Sequence, residues 1–369
     1  MKKIVIPIAL IFSIIFSINA QEKLDALLPV RGLCIAAPDK EVLDDFIKFI
    51  KEELVPKKVN TLVLRVDWGY AYKSHPELQD ENPLTEADVK KIVKACKAGG
   101  IRVIPQVNLL GHQSWFSRIG KLLEVYPQLN ETPHVPLDAG IDEWPNDYGL
   151  YCLSYCPLHP ELHGIIFDFI DEIVEVFESD AFHAGMDEVF YLGDDKCPRC
   201  SGRDKAELFA GEITKLRNHL AENGTELWIW GDRLIDGKTT GIGVWSASMN
   251  NTHRAIDMIP KDVVINDWHY GRANPTAALF ALKGFKVITC PYRRAEVAKT
   301  QLHMMLGFRE NATPETRENY AGMMQTIWTG ADNFLEYYYG KKEFDPERNR
   351  GNYVECFNTL FEEINKLDK

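Results

Sequence analysis

Residues 84–112, LTEADVKKIVKACKAGGIRVIPQVNLLGH, hold one complete helix-and-strand repeat, and this repeat decides how the rest of the chain is interpreted. Thr85 is a typical helix-capping residue, and the amphipathic segment that follows it ends at the glycine pair 99–100. The next apolar run, IRVIPQV at 101–107, is typical of a buried strand. The stretch therefore predicts a helix that is followed at once by a strand.

The same alternation of short apolar runs and longer amphipathic segments continues on both sides of this stretch. Further apolar runs predict strands at RGLCIA (31–36), TLVLRV (61–66), AFHAGM (181–186), ELWIWG (226–231), DVVIND (262–267), FKVITC (285–290) and MMQTIW (323–328). Further helical patterns lie at 41–54, 164–178 and 205–224. Strands that alternate with helices are typical of a parallel sheet with crossover helices.

The number of strand-and-helix units indicates the fold class. Eight such units in a chain of 369 residues predict an α/β fold, a (β/α)8 TIM barrel with insertions. An open, doubly wound sheet is the alternative, because it shows the same alternation. The longest irregular stretch runs from Gly111 to about His163, after the third strand. In a barrel this long loop would lie at the C-terminal ends of the strands, where active sites are built.

The N-terminus reads MKKIVIPIALIFSIIFSINA, in which two lysines precede an apolar run and the small residue Ala20 ends the segment. This pattern predicts a signal peptide over residues 1–20 and one barrel domain over residues 21–369. The apolar run is short for a membrane-spanning helix, and an uncleaved anchor is the alternative. We expect an exported protein, periplasmic or extracellular, with no membrane insertion after signal cleavage.

Composition limits the kinds of partner. Hydrophobic residues make up 45% of the chain and charged residues 26%, as in an ordinary globular protein with a large core. The formal net charge of -12 argues against nucleic acid as a partner, because phosphates require a basic surface.

Polar and aromatic residues recur where the predicted strands end. They are Asp67 and Trp68 after the second strand, Asn108 and His112 after the third, His183, Asp187 and Glu188 at the fourth, Trp230 and Asp232 at the fifth, Asp267 and Trp268 at the sixth, Tyr292 at the seventh and Trp328 at the eighth, with Arg31 at the first. Barrel active sites are assembled from such positions. Aromatic rings stack on sugar faces while a few polar groups fix the orientation, so the set predicts a carbohydrate ligand.

Asp187 and Glu188, in the segment HAGMDEV, are adjacent carboxylates at a strand end. Glycoside cleavage needs an acid that protonates the leaving oxygen and a second group that stabilises the positive anomeric centre. The charge of Asp187 would help to keep Glu188 protonated. Neighbours in a regular strand point to opposite faces, so both can serve one site only if the backbone departs from strand geometry. Without further context such a pair is more often a solvated loop feature.

Four segments, in a fixed order, resemble the motifs of a known family. HAGMDEV is similar to His-x-Gly-Gly-Asp-Glu, with Met186 in place of the second glycine, IRVIPQVNLLGH is similar to a third-strand motif, and PVRGLCIA to a first-strand Arg-Gly motif. LTEADVKKIVKACKAGGIRVIP matches the intervening helix and strand in pattern and spacing. Together they resemble the catalytic domain of glycoside hydrolase family 20, the β-N-acetylhexosaminidases, over most of the chain.

The resemblance implies an exo-acting hydrolase that removes terminal β-linked N-acetylhexosamine from an oligosaccharide or glycoconjugate without a cofactor. The implied mechanism is substrate-assisted and retaining: the substrate's 2-acetamido oxygen attacks the anomeric carbon. Glu188 would be the general acid and then the base, and Asp187 would hold the acetamido N-H. The implied contacts to the sugar are Arg31, His112, His183, Trp230, Trp268, Tyr292 and Trp328, with Tyr292 as a donor to the acetamido oxygen and His112, together with Asp67, as a support for Glu188.

Two of these assignments have a structural alternative. His183 lies inside the strand, and this position favours a structural hydrogen-bonding residue beneath the site over a proton carrier. Arg31 is alternatively a buried ion-pair partner of Asp187 or Asp67.

Several positions depart from the family pattern. The third-strand acids are replaced here by Gln106 and Asn108, and the glutamate that follows the eighth-strand tryptophan is replaced by Gly330. These changes leave the acid in place but alter the hydroxyl contacts, so they favour a second hypothesis, a carbohydrate-binding protein of the same fold with impaired catalysis. An unrelated barrel enzyme with metal chemistry is the third, although His183 and Asp187 alone supply too few ligands.

Four of the eight cysteines form two close pairs. Cys197 and Cys200, in KCPRCSG, have the spacing of a zinc knuckle, and Cys152 and Cys156 lie in the long loop before them. The four thiols predict a structural zinc site. Disulfides are the alternative in an exported protein, and free thiols are the third. A cross-link of either kind would hold the loop next to the site.

Overall fold

Eight parallel strands form the centre of the molecule. The structure is a computed structural model and describes residues 22–116, 118–138, 152–345 and 351–367, so the predicted signal peptide lies outside the described residues. The strands are β1 (Val30–Ala36), β2 (Thr61–Arg65), β3 (Arg102–Leu109), β4 (Ala181–Gly185), β5 (Glu226–Trp230), β6 (Val264–Trp268), β7 (Val287–Cys290) and β8 (Tyr320–Thr326). Each of them overlaps a strand that the sequence predicts.

The strands close into a barrel in the order β1-β8-β7-β6-β5-β4-β3-β2. Closure depends on the parallel pairing of β1 with β8, which runs from Val30 opposite Gly322 to Cys34 opposite Thr326. Gly322 has a φ of 145°, and a Cβ atom there would lie 2.1 Å from the carbonyl oxygen of Val30, so only glycine permits this approach. The TIM-barrel prediction is confirmed, and the open-sheet alternative is wrong.

Helices surround the barrel. The longer ones are α1 (Leu43–Phe49, extended by a π turn over Ile50–Leu54), α2 (Glu86–Ala98), α3 (Leu162–Val176), α4 (Lys205–Glu222), α5 (Thr276–Leu282), α6 (Ala295–Asn311), α7 (Ala331–Tyr338) and α8 (Tyr353–Ile364). Helix α2 begins with the predicted cap, because the hydroxyl of Thr85 accepts from the Asp88 N-H at 3.3 Å. Within the described ranges, no helix has the length and apolarity that a membrane crossing requires.

The barrel interior is filled with apolar side chains that form a cluster of their own. Its members are Cys34, Val63, Ile104, Ala181, Trp228, Trp230, Val264, Trp268, Ile288, Cys290, Ala321 and Met324. Tyr270 and Trp328 pack against this cluster and are only partly buried. A packed interior of this kind closes the barrel, so a ligand has access only to the rim where the strands end.

Strand β3 contains an irregularity next to that rim. Its pairing with β4 shifts between Gln106, which lies opposite His183, and Leu109, which lies opposite Gly185, so β3 has one extra residue. Bulges re-aim side chains and are common beside active sites. Here the extra residue brings Asn108 next to the end of β2.

Candidate active site

The backbone leaves strand geometry at the carboxylate pair. Gly185, Met186 and Glu188 have φ values of 69°, 70° and 49°, so three of four consecutive residues are in the left-handed region. This change of direction allows both carboxylates to reach one histidine, which a regular strand would prevent. Non-glycine residues in this region cost free energy and are concentrated at functional sites. The geometric condition for a shared site is therefore met.

His112 lies between the two carboxylates. Its Nε2 is 3.3 Å from Asp187 Oδ2 and 3.3 Å from Glu188 Oε2. Gly111 makes this approach feasible, because a Cβ atom at that position would lie 2.4 Å from the Asp187 carbonyl oxygen. The three side chains are between 7% and 14% exposed, so they are nearly buried but still accessible.

The charges of His112 and Asp187 stabilise each other. Burial alone lowers the pKa of His112, but the negative charge of Asp187, the hydrogen bond to Asp187 and the contact with Cys152 together outweigh burial and hold that pKa well above 6.5. Burial alone raises the pKa of Asp187, but the charge of His112 and its hydrogen bond to Asp187, together with smaller contributions, outweigh burial, so the pKa of Asp187 lies below 3.8. Asp187 is therefore a carboxylate at neutral pH and carries no proton for acid catalysis.

Cys152 lies on the other side of His112. Its Sγ is 3.4 Å from His112 Nδ1 and 3.4 Å from Glu188 Oε2. Burial raises the pKa of the Cys152 thiol to about 12, which keeps it protonated and able to donate to Glu188. The prediction that Cys152 joins the other three cysteines is wrong, because the loop after β3 turns this thiol toward the carboxylates. The His112, Cys152 and Glu188 donor atoms lie within 4.8 Å of one another, close enough to reach one cation.

The loop after β5 holds the backbone of Glu188. Asp232 Oδ2 accepts from the Glu188 N-H at 3.0 Å and from Arg233 Nε at 2.6 Å. Arg233 in turn donates to the carbonyl oxygens of Val244 and Trp245 at 2.8 and 3.0 Å. Because both charged side chains are fully buried and hydrogen-bonded, they fix the strained backbone on which Glu188 depends.

Asp67 accepts hydrogen bonds from Asn108, one of the two residues that stand in place of acids on the third strand. Asp67 Oδ1 accepts from the Asn108 backbone N-H at 2.8 Å, and Oδ2 accepts from Asn108 Nδ2 at 3.4 Å. Gln106 Nε2 donates to Asn108 Oδ1 at 3.1 Å. Burial raises the pKa of Asp67. Asn108 thus binds the Asp67 carboxylate and Gln106 holds Asn108, at positions where two further acids would have added buried negative charge.

Three tryptophans and a tyrosine form the floor and one wall of the rim. Trp230 is fully buried, with its ring centroid 5.7 Å from that of Trp328. Trp268 stacks on Tyr270 at 5.0 Å, and Trp328 Nε1 donates to the Tyr270 hydroxyl at 2.8 Å. The predicted residues Trp230, Trp268 and Trp328 are therefore brought together. Tyr270 belongs to the same group and places its hydroxyl at the site. This residue was not predicted from the sequence.

Tyr292 and His183 contact different members of this group. The Tyr292 ring contacts Tyr270 edge to face at 5.3 Å and is partly exposed. His183 is fully buried and lies 4.5 Å from Trp230. Its Nδ1 accepts from the Gly185 N-H at 3.0 Å, and burial lowers its pKa to about 3, so it is a neutral residue beneath the carboxylates.

Arg31 does not lie at this rim. It is the second residue of β1, and its guanidinium donates to the Leu28 and Lys58 carbonyl oxygens at 2.8 and 2.9 Å and contacts Asp25. These partners are at the N-terminal end of the barrel, while ligands of a TIM barrel bind at the C-terminal end. The assignment of Arg31 to the sugar is corrected for this reason, as is its alternative pairing with Asp187 or Asp67.

A different arginine occupies the rim. Arg65 ends β2, donates to the Ile327 carbonyl oxygen at 2.8 Å, and places its guanidinium 4.8 Å from the centre of the Trp328 ring. Its Nε is buried and has no hydrogen-bond partner among the described residues. Arg65 is the last but one residue of the predicted strand at 61–66, close to the rim, whereas Arg31 is the first residue of the predicted strand at 31–36.

The comparison with protein families decides the identity of this site. The model of glycosyl hydrolase family 20, catalytic domain, matches residues 58–310. The chain belongs to this family. The family model covers β3 and β4, with both carboxylates and His112, and it therefore assigns the chain a glycosidase catalytic domain.

Individual relatives are distant. A β-hexosaminidase of Emericella nidulans is 21% identical over 266 residues, which are 67% of this chain and 41% of that protein. A lacto-N-biosidase of Bifidobacterium bifidum is 23% identical over 256 residues, 66% of this chain and 20% of that one. The family 20 chitobiase of Flavobacterium johnsoniae superposes with a TM-score of 0.62 at 18% identity, covering 92% of this chain and 51% of that one. The match in structure shows the fold, and the chain spans less than half the length of the two curated relatives.

Proposed function

We propose that this family 20 domain is an exo-acting hydrolase that removes a terminal β-linked N-acetylhexosamine with assistance from the substrate's own acetamido group. One observation carries the proposal. Asp187 Oδ2 is bound to His112, while Asp187 Oδ1 is buried and has no hydrogen-bond partner among the described residues. A buried carboxylate oxygen without a partner is costly, and a ligand N-H would satisfy it.

The arrangement supports a two-step reaction. Glu188 gives a proton to the glycosidic oxygen while the acetamido oxygen forms a bond to the anomeric carbon and the leaving alcohol departs. Asp187 accepts a hydrogen bond from the acetamido N-H and stabilises the positive charge of the cyclic oxazolinium ion. Glu188, now a carboxylate, takes a proton from water as the water oxygen attacks the anomeric carbon and reopens the ring. The configuration is retained because the anomeric carbon is inverted twice.

The direct test compares matched chromogenic substrates. Purified protein is incubated with 4-nitrophenyl 2-acetamido-2-deoxy-β-glucoside and β-galactoside and with 4-nitrophenyl β-glucoside, and the configuration of the first product is followed by NMR. Hydrolysis confined to the acetamido sugars, with β product formed first, is the expected result. Hydrolysis of the plain glucoside at a similar kcat/KM would exclude substrate assistance.

A carbohydrate-binding protein with impaired catalysis is the second candidate function. The neutral Gln106 and Asn108 and the absence of a glutamate at Gly330 favour it. The carboxylate next to this position belongs to Asp332 in α7, whose Oδ1 would lie 2.3 Å from a Cβ atom on Gly330. Calorimetric binding of N-acetylglucosamine without turnover of any acetamido glycoside would establish this candidate instead.

Substitution of the two arginines should separate a site residue from a structural one. Arg65→Lys is expected to raise KM about tenfold or more. Lysine cannot replace the hydrogen bond that Arg65 Nε would donate to the sugar, and a charge-assisted bond of this kind is worth about 1.5–3 kcal/mol. Arg31→Lys should leave KM within about twofold but destabilise the fold by about 2 kcal/mol, because it loses the guanidinium bonds to two carbonyl oxygens. Steady-state kinetics and urea unfolding measure the two effects, and a KM raised more than about twofold in Arg31→Lys would show that Arg31 contacts the sugar.

The donor to the acetamido oxygen should be Tyr270 rather than Tyr292. Tyr270 stacks on Trp268, and its hydroxyl accepts from Trp328 Nε1 at 2.8 Å, which leaves the hydroxyl proton available to a ligand at the rim, whereas Tyr292 packs edge to face on Tyr270 and is partly exposed. Tyr270→Phe is expected to lower kcat about 10–100-fold, and Tyr292→Phe less than about threefold, because only the former removes a hydrogen bond that positions the acetamido oxygen for attack on the anomeric carbon. The reverse order of losses in kcat would return the role to Tyr292.

A further inference from the structure

Three cysteines and a glutamate form a buried cluster beside the candidate active site. Glu131, Cys156, Cys197 and Cys200 each place one donor atom within 4.8 Å of all the others, and all four side chains are buried. Cys156 Sγ lies 3.5 Å from Cys200 Sγ and 3.6 Å from Cys197 Sγ. The cluster includes three of the predicted cysteines, but its fourth member is Glu131, which the spacing of cysteines could not indicate.

Hydrogen bonds within the protein satisfy only half of the Glu131 carboxylate. Oε1 accepts from the Gly193 and Asp194 backbone N-H groups at 2.7 and 3.1 Å. Oε2 is buried without a hydrogen-bond partner in the described part of the chain, although the residue is 0% exposed. A carboxylate held in this way next to three sulfur atoms offers its free oxygen to a cation, which would offset the burial of the charge.

The distances between the sulfur atoms fit metal coordination better than a disulfide. A disulfide bond is about 2.05 Å long. Two thiolates on a tetrahedral zinc ion, each about 2.3 Å from it, are about 3.8 Å apart. The separations of 3.5 and 3.6 Å in the cluster are close to the second value. An odd number of thiols would also leave one cysteine unpaired if a disulfide formed.

We propose that Cys156, Cys197, Cys200 and Glu131 bind one Zn²⁺ ion in a tetrahedral site with three sulfur ligands and one oxygen ligand. Thiolates favour a soft or borderline ion over Ca²⁺ or Mg²⁺, and the single carboxylate favours Zn²⁺ over Cu⁺, which prefers sulfur alone. Four protein ligands leave no open position, so the ion is structural and takes no part in glycoside cleavage.

The ion would join the two loops that carry the catalytic groups. Glu131 and Cys156 belong to the loop after β3, and Cys197 and Cys200 to the loop after β4, which begins at the carboxylate pair. The Glu131 N-H donates to the Ser154 carbonyl oxygen at 3.0 Å, so both ligands of the first loop are on one paired segment. That segment also carries Cys152, whose thiol contacts Glu188. Zinc binding would therefore position Cys152 against the acid.

Metal content of the intact protein is the primary test. The full chain is produced in zinc-supplemented medium, purified without chelator, and analysed by plasma mass spectrometry and by thiol titration under denaturing conditions. One zinc per chain with eight titratable thiols is expected. Less than about 0.1 zinc per chain, or a protein mass reduced by two hydrogens because of a disulfide, would overturn the proposal. Neither readout depends on glycosidase activity, so the proposed function can fail independently.

Variants identify the ligands. Cys197→Ala and Glu131→Gln should weaken Zn²⁺ affinity by more than about 100-fold, because loss of a direct ligand exceeds the about 10–100-fold cost of losing an outer-shell partner. Cys356→Ala removes an equally buried thiol from α8 and should retain one zinc per chain. Replacement of Zn²⁺ by Co²⁺ should give the visible bands of a tetrahedral ion and a thiolate charge-transfer band in the wild type. Equal zinc content in all three variants, or octahedral Co²⁺ bands, would exclude this site.

Discussion

Glu188→Gln is expected to lower kcat/KM about 10²–10⁴-fold for chitobiose, whose leaving group is a sugar alcohol. The amide cannot give a proton to the glycosidic oxygen, and the unprotonated alkoxide is a poor leaving group. For 4-nitrophenyl 2-acetamido-2-deoxy-β-glucoside the loss in kcat/KM should be much smaller, since 4-nitrophenolate departs without a proton. The ratio of the two losses therefore reports acid catalysis separately from a general disturbance of the site.

The control for this variant is Glu222→Gln, which makes the same chemical change at the exposed end of α4. It should leave kcat/KM for both substrates within about twofold, as surface substitutions away from a site usually do. Equal losses on chitobiose and the nitrophenyl substrate in Glu188→Gln would show that Glu188 is not the proton donor.

The fold was predictable from the sequence because its signals are local. Each strand is a short apolar run, and the helix caps, such as Thr85 before α2, lie within a few residues of the elements they begin. The carboxylate pair was also predictable, since the segment 183–189 carries a family motif. The direction in which Asp187 and Glu188 point was not, because it depends on three left-handed residues, and two of these, Met186 and Glu188, are not glycine.

The predictions that were wrong concern residues whose role depends on their position along the barrel axis or on contacts between distant segments. Arg31 and Arg65 both belong to barrel strands. Arg31 lies near the start of β1, at the N-terminal end of the barrel, whereas Arg65 ends β2 and lies at the rim. Cys152 and Cys156 are on one short segment, yet one contacts Glu188 and the other joins Glu131. A spacing pattern cannot show which way each thiol turns.

Asp187→Asn should lower kcat about 10²–10³-fold on acetamido substrates, and KM should change less. A loss of this size in kcat is typical when one preorganised group that faces a developing charge is removed. Asp187 stabilises the acetamido group as it becomes positively charged in the oxazolinium ion. The asparagine amide keeps the shape of the side chain but presents no negative charge to that ion. Asp44→Asn, an exposed change in α1, should leave both parameters within about twofold. A nucleophilic role for Asp187 would instead produce a covalent glycosyl-enzyme, which mass spectrometry of a trapped fluorosugar complex would detect.

The pH dependence of stability provides an independent check on the same variant. The raised pKa of His112 means that its contribution is fully present below the unfolded value of 6.5 and is lost as pH rises through the folded pKa. The lowered pKa of Asp187 means that its contribution is present above 3.8 and is lost as pH falls through the folded pKa. The free energy of unfolding should therefore differ most between wild type and Asp187→Asn from about pH 4 to 6.5, and converge as pH rises through the folded pKa of His112. If the difference in the free energy of unfolding between wild type and Asp187→Asn did not change with pH, His112 and Asp187 would not form a charged pair. The orientation of the Asp187 carboxylate toward the substrate would then have another cause.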